Sequence, residues 1–397
     1  MYLMRSGETR LFTLSQPREK ISYINEHVPP FVPLMLPMEC CAAAVSIDRG
    51  CCYLGDISGR IEAQTLTDCT PALVCQMRRN AAVRCILPAD LLIGRGGDGL
   101  VIGDAAGHVV YFQGGVAVND LALPFAVAAL ARHYSRDREP AIAAADVGGT
   151  VMVFGLLSQP HWRLRLQDAL ALTRLHLRHP AGTALLSVRA IDADGVRRRQ
   201  LLVAAGGQAL LRVSIEGIAL DVIQAPEEVT ALGDGWSSDG DDDDGEDDEC
   251  DPSENDWPLA VVACAGGSIH RLPSMERLAA VGARVSAVDA SWWKAHGLLA
   301  CCGHFDGVLI TTRHGAAQHV TVGGGGWALC ARLFTAPREE HHGHRGEGTC
   351  KGRKRSANAA AGGVAADTIA HAANANVWCV TDSGCACWGR ITALGIE

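Results

Sequence analysis

The pattern of apolar and polar positions repeats one unit along the chain: an apolar strand, a tight turn with glycine and often aspartate, and a second apolar strand. Glycine and aspartate stand where a hairpin needs positive φ, and the flanking residues are alternating or β-branched, as in strands. Copies occur at 51–66, 100–112, 141–156, 201–215, 259–272, 297–313 and 376–391. The pattern therefore predicts seven successive β-hairpins.

The spacing of these turns predicts how the hairpins are arranged. Successive turn glycines are 48, 42, 58, 60, 40 and 77 residues apart, and they are Gly59, Gly107, Gly149, Gly207, Gly267, Gly307 and Gly384. A four-stranded propeller blade repeats about every 40–45 residues. We therefore predict an all-β fold: a single β-propeller over 1–397 with about seven four-stranded blades, six or eight being the alternatives.

Further strand patterns fit this architecture. Residues 169–177 and 283–291 are predicted to be the innermost strands of two blades, and residues 9–15 are predicted to complete the last blade and close the ring. A doubly wound α/β fold would need helical patterns of 10–15 residues between its strands. Such patterns are almost absent.

Two segments are predicted to be disordered insertions, and they lie in the longer gaps between turns. Residues 236–257 form an acidic loop, and residues 336–372 form a loop rich in His, Ala, Gly and basic residues. Within the first, 239–256 contain twelve Asp or Glu and no Lys or Arg. Without them the chain has 35 basic and 44 − 12 = 32 acidic residues, so the net charge of −9 belongs to one segment.

This charge distribution limits the expected partners. A nearly neutral body does not favour nucleic acid, so we expect protein partners. The acidic loop is either a site for a basic partner or a solubilising insertion, and Ser237 and Ser238, with acids downstream, are candidate phosphorylation sites.

Composition also limits where the protein works. No run of 18 apolar residues and no N-terminal signal pattern are found, so we expect a cytoplasmic protein without a membrane partner. Nuclear import is the alternative, through the basic cluster Lys351, Arg353, Lys354 and Arg355. Most of the 16 cysteines lie in apolar strand patterns and are expected to be buried thiols.

Motifs that suggest chemistry are each better explained by structure. Residues 94–103 are glycine-rich but match no phosphate-binding pattern, so we expect a turn. The spacing of His341, His342, His344 and Cys350 matches no zinc site, and Cys385 and Cys387 alternate as core residues of a strand do. We predict no metal and no cofactor. Lone histidines beside turns are expected to be structural, and they are His108, His270, His304 and His314.

Residues 300–313 resemble a WD40 blade. Phe305, Asp306 and Gly307 match its turn and Val308–Ile310 match the strand that follows, whereas Thr311-Thr312 replace the usual Trp-Asp pair. Elsewhere Trp388 is followed by Gly389 rather than Asp. The resemblance implies a propeller that acts as an interaction platform.

A sharper resemblance is to the diphthine methylesterase family of WD40 proteins. It rests on Phe305-Asp306, Thr312-Arg313 and the run 323–333, GGGGWALCARL. It implies hydrolysis of a methyl ester on an intermediate of elongation factor 2 during diphthamide biosynthesis. The chain departs from that family at Gly307, where the family has Glu, and in the basic residues after the Trp, which are absent or displaced.

Two functions remain open at this point. The first is a non-catalytic scaffold, or a subunit of a multiprotein complex, whose partner and catalytic residues the sequence does not identify. The alternative is a carboxyl methylesterase of the diphthamide pathway.

Overall fold

The computed structural model describes most of the chain between residues 21 and 391. The described ranges are 21–22, 40–46, 49–65, 71–78, 80–91, 99–137, 139–156, 159–172, 181–191, 197–234, 260–293, 297–305, 307–312, 317–320, 327–335, 375–381 and 386–391. These ranges contain 28 β-strands and one short α-helix.

Six blades are continuous in sequence, and each is an antiparallel sheet of four consecutive strands. Blade 1 contains β2 (Cys40–Ser46), β3 (Cys51–Asp56), β4 (Arg60–Thr65) and β5 (Pro71–Gln76). Blade 2 contains β6 (Val83–Pro88), β7 (Leu100–Asp104), β8 (His108–Gln113) and β9 (Val116–Ala122). Blade 3 contains β10 (Val127–Tyr134), β11 (Pro140–Asp146), β12 (Thr150–Phe154) and β13 (Pro160–Arg165).

The next three blades follow the same order. Blade 4 contains β14 (Ala184–Ile191), β15 (Arg197–Ala204), β16 (Ala209–Val213) and β17 (Ala219–Gln224). Blade 5 contains β18 (Val229–Asp234), β19 (Ala260–Cys264), β20 (Ser268–Arg271) and β21 (Glu276–Ala280). Blade 6 contains β22 (Val285–Asp289), β23 (Leu298–Gly303), β24 (Val308–Thr312) and β25 (Ala317–Val320).

The remaining four-stranded sheet, here called blade 7, joins the two ends of the described chain. It contains β26 (Ala328–Thr335), β27 (Ala375–Thr381), β28 (Ala386–Ile391) and, as its outer strand, β1 (Ile21–Ser22). Ile21 pairs with Ile391 in this sheet. Residues 9–15, predicted for this position, lie outside the described residues.

The first strands of the sheets contact one another in cyclic order, and β26 returns to β2. This closed arrangement of four-stranded antiparallel blades is the predicted all-β propeller. Closure leaves only the short outer strands as sheet edges.

The repeated hairpins of the sequence form the second and third strands of the blades, and 283–291 contains β22, an innermost strand as predicted. The prediction for 169–177 was wrong. Its first residues belong to helix α1 (Leu166–Leu172), and the rest lie outside the described residues. Leu166, Ala169 and Leu170 are buried on one face of this helix. The apolar residues that suggested an alternating strand also fit the three-and-four spacing of a helical face.

The hydrophobic core lies between neighbouring blades and consists of a series of apolar clusters. Leu201 and Val151, for example, pack in the cluster between blades 3 and 4. Eleven cysteines of the described ranges form no disulfide bond. Those expected to be buried are buried, namely Cys51, Cys52, Cys264, Cys301, Cys302 and Cys379. Burial raises the pKa of Cys301 to about 12, so this thiol stays protonated at neutral pH.

One polar pair interrupts the apolar packing between blades 3 and 4. The Nδ1 atom of His133 lies 2.8 Å from the hydroxyl oxygen of Ser187, and His133 is 1% exposed. Desolvation, together with a smaller effect of the positive charge of Arg199, lowers the pKa of His133 to about 4. The imidazole is therefore neutral at neutral pH.

Successive connections in an antiparallel meander alternate between the two sides of the ring. We call the upper side the one with the turns between second and third strands and the connections from one blade to the next. The connections from first to second strand lie on the lower side. Residues 235–259 and 336–374 join first to second strands, β18 to β19 and β26 to β27, so both long connections start and finish on the lower side.

The turn glycines allow the connections between blades to pack closely against the turns on the upper side. A substitution at Gly107 tests this. Its φ is +89°, and a Cβ there would lie 2.6 Å from the carbonyl oxygen of Leu123 and 2.7 Å from that of Phe125. We expect Gly107→Ala to lower the free energy of unfolding by about 2 kcal/mol, measured by urea denaturation. Gly114→Ala is the matched control, because φ is +55° but nothing lies within 4 Å. It should cost only about 1 kcal/mol. Equal losses would show that the contact with the connection is unimportant.

Candidate functional site

Three turns on the upper side are held by the same carboxylate arrangement. Asp56 Oδ1 accepts hydrogen bonds from the backbone N–H groups of Ser58 and Arg60, at 2.9 and 2.8 Å. Asp104 and Asp146 repeat this pattern two and four residues downstream. Each carboxylate thus closes its turn as an Asx-type turn does, leaving the turn tip pointing away from the ring.

Backbone hydrogen bonds join these turns to the connections between blades. Met77 N–H donates to the Gly59 carbonyl at 2.8 Å and Ala105 N–H to the Ala82 carbonyl at 2.9 Å. Leu123 N–H donates to the Gly107 carbonyl at 2.8 Å, and Val147 N–H to the Ala126 carbonyl at 3.0 Å. The result is one continuous surface across blades 1–3, which we call the upper strip: 56–59, 77–78, 80–82, 104–107, 123–126 and 146–149.

The upper strip exposes large apolar side chains at its turn tips and in one connection. Ile57 is 54% exposed, Phe125 56% and Val147 45%. Phe125 lies against the next turn, because a Cβ on Gly148 would be 2.0 Å from its ring. Isolated exposed apolar residues are ordinary, but a series along a hydrogen-bonded surface is typical of a binding site.

A small cavity of about 150 Å³ opens between blades 1 and 2, next to the strip. Val110 and Phe112 form part of its wall, and Arg78, His108 and Asp120 contribute polar groups. His108 Nδ1 lies 2.8 Å from Asp120 Oδ1. A histidine oriented by a carboxylate can act as a base, but the described lining residues offer no serine, cysteine or lysine as a nucleophile. The cavity thus combines apolar walls with a few polar groups.

A second exposed aromatic group lies on the upper side between blades 6 and 7. The rings of His304 and Trp327 stack at 4.8 Å with an interplanar angle of 14°, and Trp327 is 47% exposed. Phe305 packs near His319, with centroids 6.1 Å apart. Around the closed ring this group is separated from the upper strip by blades 4 and 5 on one side, whereas on the other side blade 7 contacts blade 1 directly.

The structure places the predicted turn residues as follows. Positive φ angles occur at Gly59 (84°), Gly107 (89°), Gly149 (81°), Gly207 (54°), Gly267 (87°) and Gly307 (83°). Several other predicted residues lie outside the described residues: Asp306, Gly384, Ser237, Ser238, Lys351, Arg353, Lys354 and Arg355. The same holds for His314, His341, His342, His344, Cys350, residues 94–98 and the two long insertions.

The remaining histidines have structural contacts. His270 Nδ1 lies 3.0 Å from the Met275 carbonyl oxygen, and His304 stacks as described. Of the residues that carry the methylesterase resemblance, Thr312 is 3% exposed and Phe305 contacts His319. Across the described ranges no three His, Cys, Asp or Glu side chains are arranged to hold a metal ion. In those same ranges no helix is long and apolar enough to span a membrane.

The fold defines the class: a β-propeller built from four-stranded antiparallel blades. Among solved structures, Sqt1 from Saccharomyces cerevisiae is similar, with a TM-score of 0.55 and 10% sequence identity, over 94% of this chain and 99% of Sqt1. BBS1N, solved in complex with ARL6DN, has a TM-score of 0.51 and 10% identity, over 89% of this chain and 91% of BBS1N. At this identity the similarity shows the fold alone.

Sequence comparisons add no relative. No family model matches the chain, and no curated protein matches it. The resemblance to diphthine methylesterases therefore gains no support from them.

The upper strip was missed by the sequence analysis. Its turns were identified from glycine and aspartate, but the residues between them were treated as spacers. The available signal was an apolar residue directly after the turn aspartate, as in Asp56-Ile57 and Asp146-Val147, where an exposed tip favours a polar residue.

Proposed function

We propose that the protein is a non-catalytic interaction scaffold and that the upper strip is the surface on which it holds a protein partner. The observation that carries the proposal is the exposure of Ile57, Phe125 and Val147 along one hydrogen-bonded surface. The strip needs little rearrangement before binding, because its turns are already closed by buried carboxylates. The complex of BBS1N with ARL6DN is in line with a partner-binding role for such propellers.

The proposal is tested by removing apolar side chains from the strip without touching the core. In Ile57→Ser/Val147→Ser the exposed apolar tips are lost, and we expect the proteins that co-purify with the unaltered chain at fixed stoichiometry to be lost too. Exposed interface anchors of this size contribute about 1–2 kcal/mol each, which corresponds to at least a tenfold weaker complex.

The matched control is Leu73→Ser/Leu220→Ser. Leu73 is 58% exposed and Leu220 42% exposed, and both lie on outer strands rather than on the strip or its cavity. This variant should retain the partners. If both variants retain them, the upper strip is not the binding surface, and if both lose them, the effect is not specific to the strip.

A further inference from the structure

The charges of the upper strip are distributed unequally between surface and interior. Asp56, Asp104 and Asp146 are 6%, 1% and 0% exposed. Each carboxylate accepts hydrogen bonds from backbone N–H groups of its own turn. Asp120, beside the strip, pairs with His108. The carboxylates of this region therefore have little capacity left for a partner.

The arginines of the same region are available. Arg78 lies in the connection from blade 1 to blade 2, and it is exposed. Arg84 is exposed because the ladder of β6 and β7 shifts between Val83 and Cys85, and the extra residue of such a bulge turns away from the sheet. No carboxylate in the described part of the chain pairs with either guanidinium. Among the charged groups of the strip and its edge in β6, Arg78 and Arg84 are therefore exposed and unpaired, whereas Asp56, Asp104 and Asp146 are buried.

Two basic groups lie between the apolar groups of the strip. Ile57 comes first, followed by Arg78 and, at the edge of the strip in β6, Arg84, and then by Phe125 and Val147. We propose that the partner of the strip is an acidic peptide segment of another protein that carries apolar anchors. This inference rests on the proposed scaffold function and deepens it by naming the chemistry of the partner.

The acidic segment of this chain is a poorer occupant. Residues 239–256 hold twelve Asp or Glu but no Ile, Leu, Val, Phe or Trp that would fit beside Ile57 and Val147. The two tryptophans of the acidic loop, Trp236 and Trp257, stand at its ends, close in sequence to β18 and β19, and the ends of these strands that the loop joins lie on the lower side. Nucleic acid would satisfy the arginines, but it offers aliphatic side chains nothing to bury against, and Phe125 alone would stack on a base.

The test uses the full chain and three pools of synthetic, fluorescent 12-residue peptides. The first pool has Glu at half of its positions and Leu or Phe at two spaced positions, the second replaces Glu by Lys, and the third replaces Leu and Phe by Ser. Titration by fluorescence anisotropy is expected to give the first pool at least tenfold tighter binding than either of the others. Its binding should weaken several-fold between about 0.1 and 0.5 M salt, because exposed charges are screened.

A pair of charge-reversal variants assigns the effect to the strip. Arg78→Glu/Arg84→Glu should weaken binding of the first pool at least tenfold. Arg136→Glu/Arg163→Glu changes the net charge equally at two exposed arginines of blade 3 off the strip, and it should leave binding within twofold.

The outcomes separate this inference from the scaffold proposal. If Ile57→Ser/Val147→Ser loses its co-purifying partners while Arg78→Glu/Arg84→Glu keeps them and binds all pools alike, the strip is a binding surface and the acidic partner is wrong. Tighter binding of a fluorescent single-stranded 12-nucleotide DNA than of the first pool, abolished by Arg78→Glu/Arg84→Glu, would also overturn the inference.

Discussion

Asp146→Ala is expected to lower the free energy of unfolding by about 3 kcal/mol. The carboxylate is fully buried, and its Oδ1 accepts from the N–H groups of Gly148 and Thr150 at 3.0 and 2.7 Å. Its Oδ2 also accepts from the N–H of Phe125 at 3.3 Å. Alanine leaves these donors without a partner, and each buried unsatisfied donor costs about 1–3 kcal/mol. Urea denaturation monitored by tryptophan fluorescence measures the loss.

Two further variants make this result specific. Asp146→Asn keeps a carbonyl oxygen that can replace Oδ1, so its loss should be about 1 kcal/mol. Asp137→Ala removes an exposed carboxylate from the connection between β10 and β11 of the same blade, and it should change stability by less than about 0.5 kcal/mol. Similar losses for Asp146→Ala and Asp137→Ala would show that the turn does not depend on its carboxylate.

Acidification is expected to lower the free energy of unfolding by about 3 kcal/mol through the titration of His133 alone. Its pKa is about 4 in the folded protein because of desolvation and the nearby Arg199, compared with about 6.5 in an unfolded chain. Between these values the unfolded state binds the proton and the folded state does not. The contribution of His133 is therefore complete above about pH 6.5 and is lost as the pH falls toward 4.

Comparison with a residue that cannot be protonated isolates this effect from the titration of carboxylates. In His133→Gln the decrease in unfolding free energy between pH 7 and pH 4 should be smaller by about 3 kcal/mol than in the unaltered protein. His319→Gln changes an exposed histidine of blade 6 that is not among the charges near His133, and it should leave the pH dependence unaltered. If His133→Gln has the same pH dependence as the unaltered chain, His133 is not the group that resists protonation.

The propeller was predictable because its signal is local and repeated. Each hairpin places an apolar run on both sides of a turn, and the glycine at positions such as Gly107 reports a backbone angle that other residues avoid. Residues 169–177 show the limit of this reasoning. A run that alternates Ala and Leu fits a strand and a helical face equally, and only packing of Leu166 and Leu170 against blades 3 and 4 decides for α1.

The candidate site was not predictable in the same way. Ile57, Phe125 and Val147 are separated along the chain by 68 and 22 residues, and only hydrogen bonds between turns and connections bring them onto one surface. The availability of Arg84 depends on a bulge in β6, which no residue of that strand indicates by its type. The charged residues at the turns give a misleading picture of the surface, because most of them are carboxylates and these are buried.

Both long connections join strand ends that lie on the lower side, and this has a practical and an evolutionary consequence. Changes of length there, between β18 and β19 or between β26 and β27, alter neither the turns nor the blade connections of the opposite side. Selection can therefore vary one side of the ring while it conserves the other. For the same reason a reporter domain or an immobilisation tag inserted on the lower side should leave the upper strip open to its ligand.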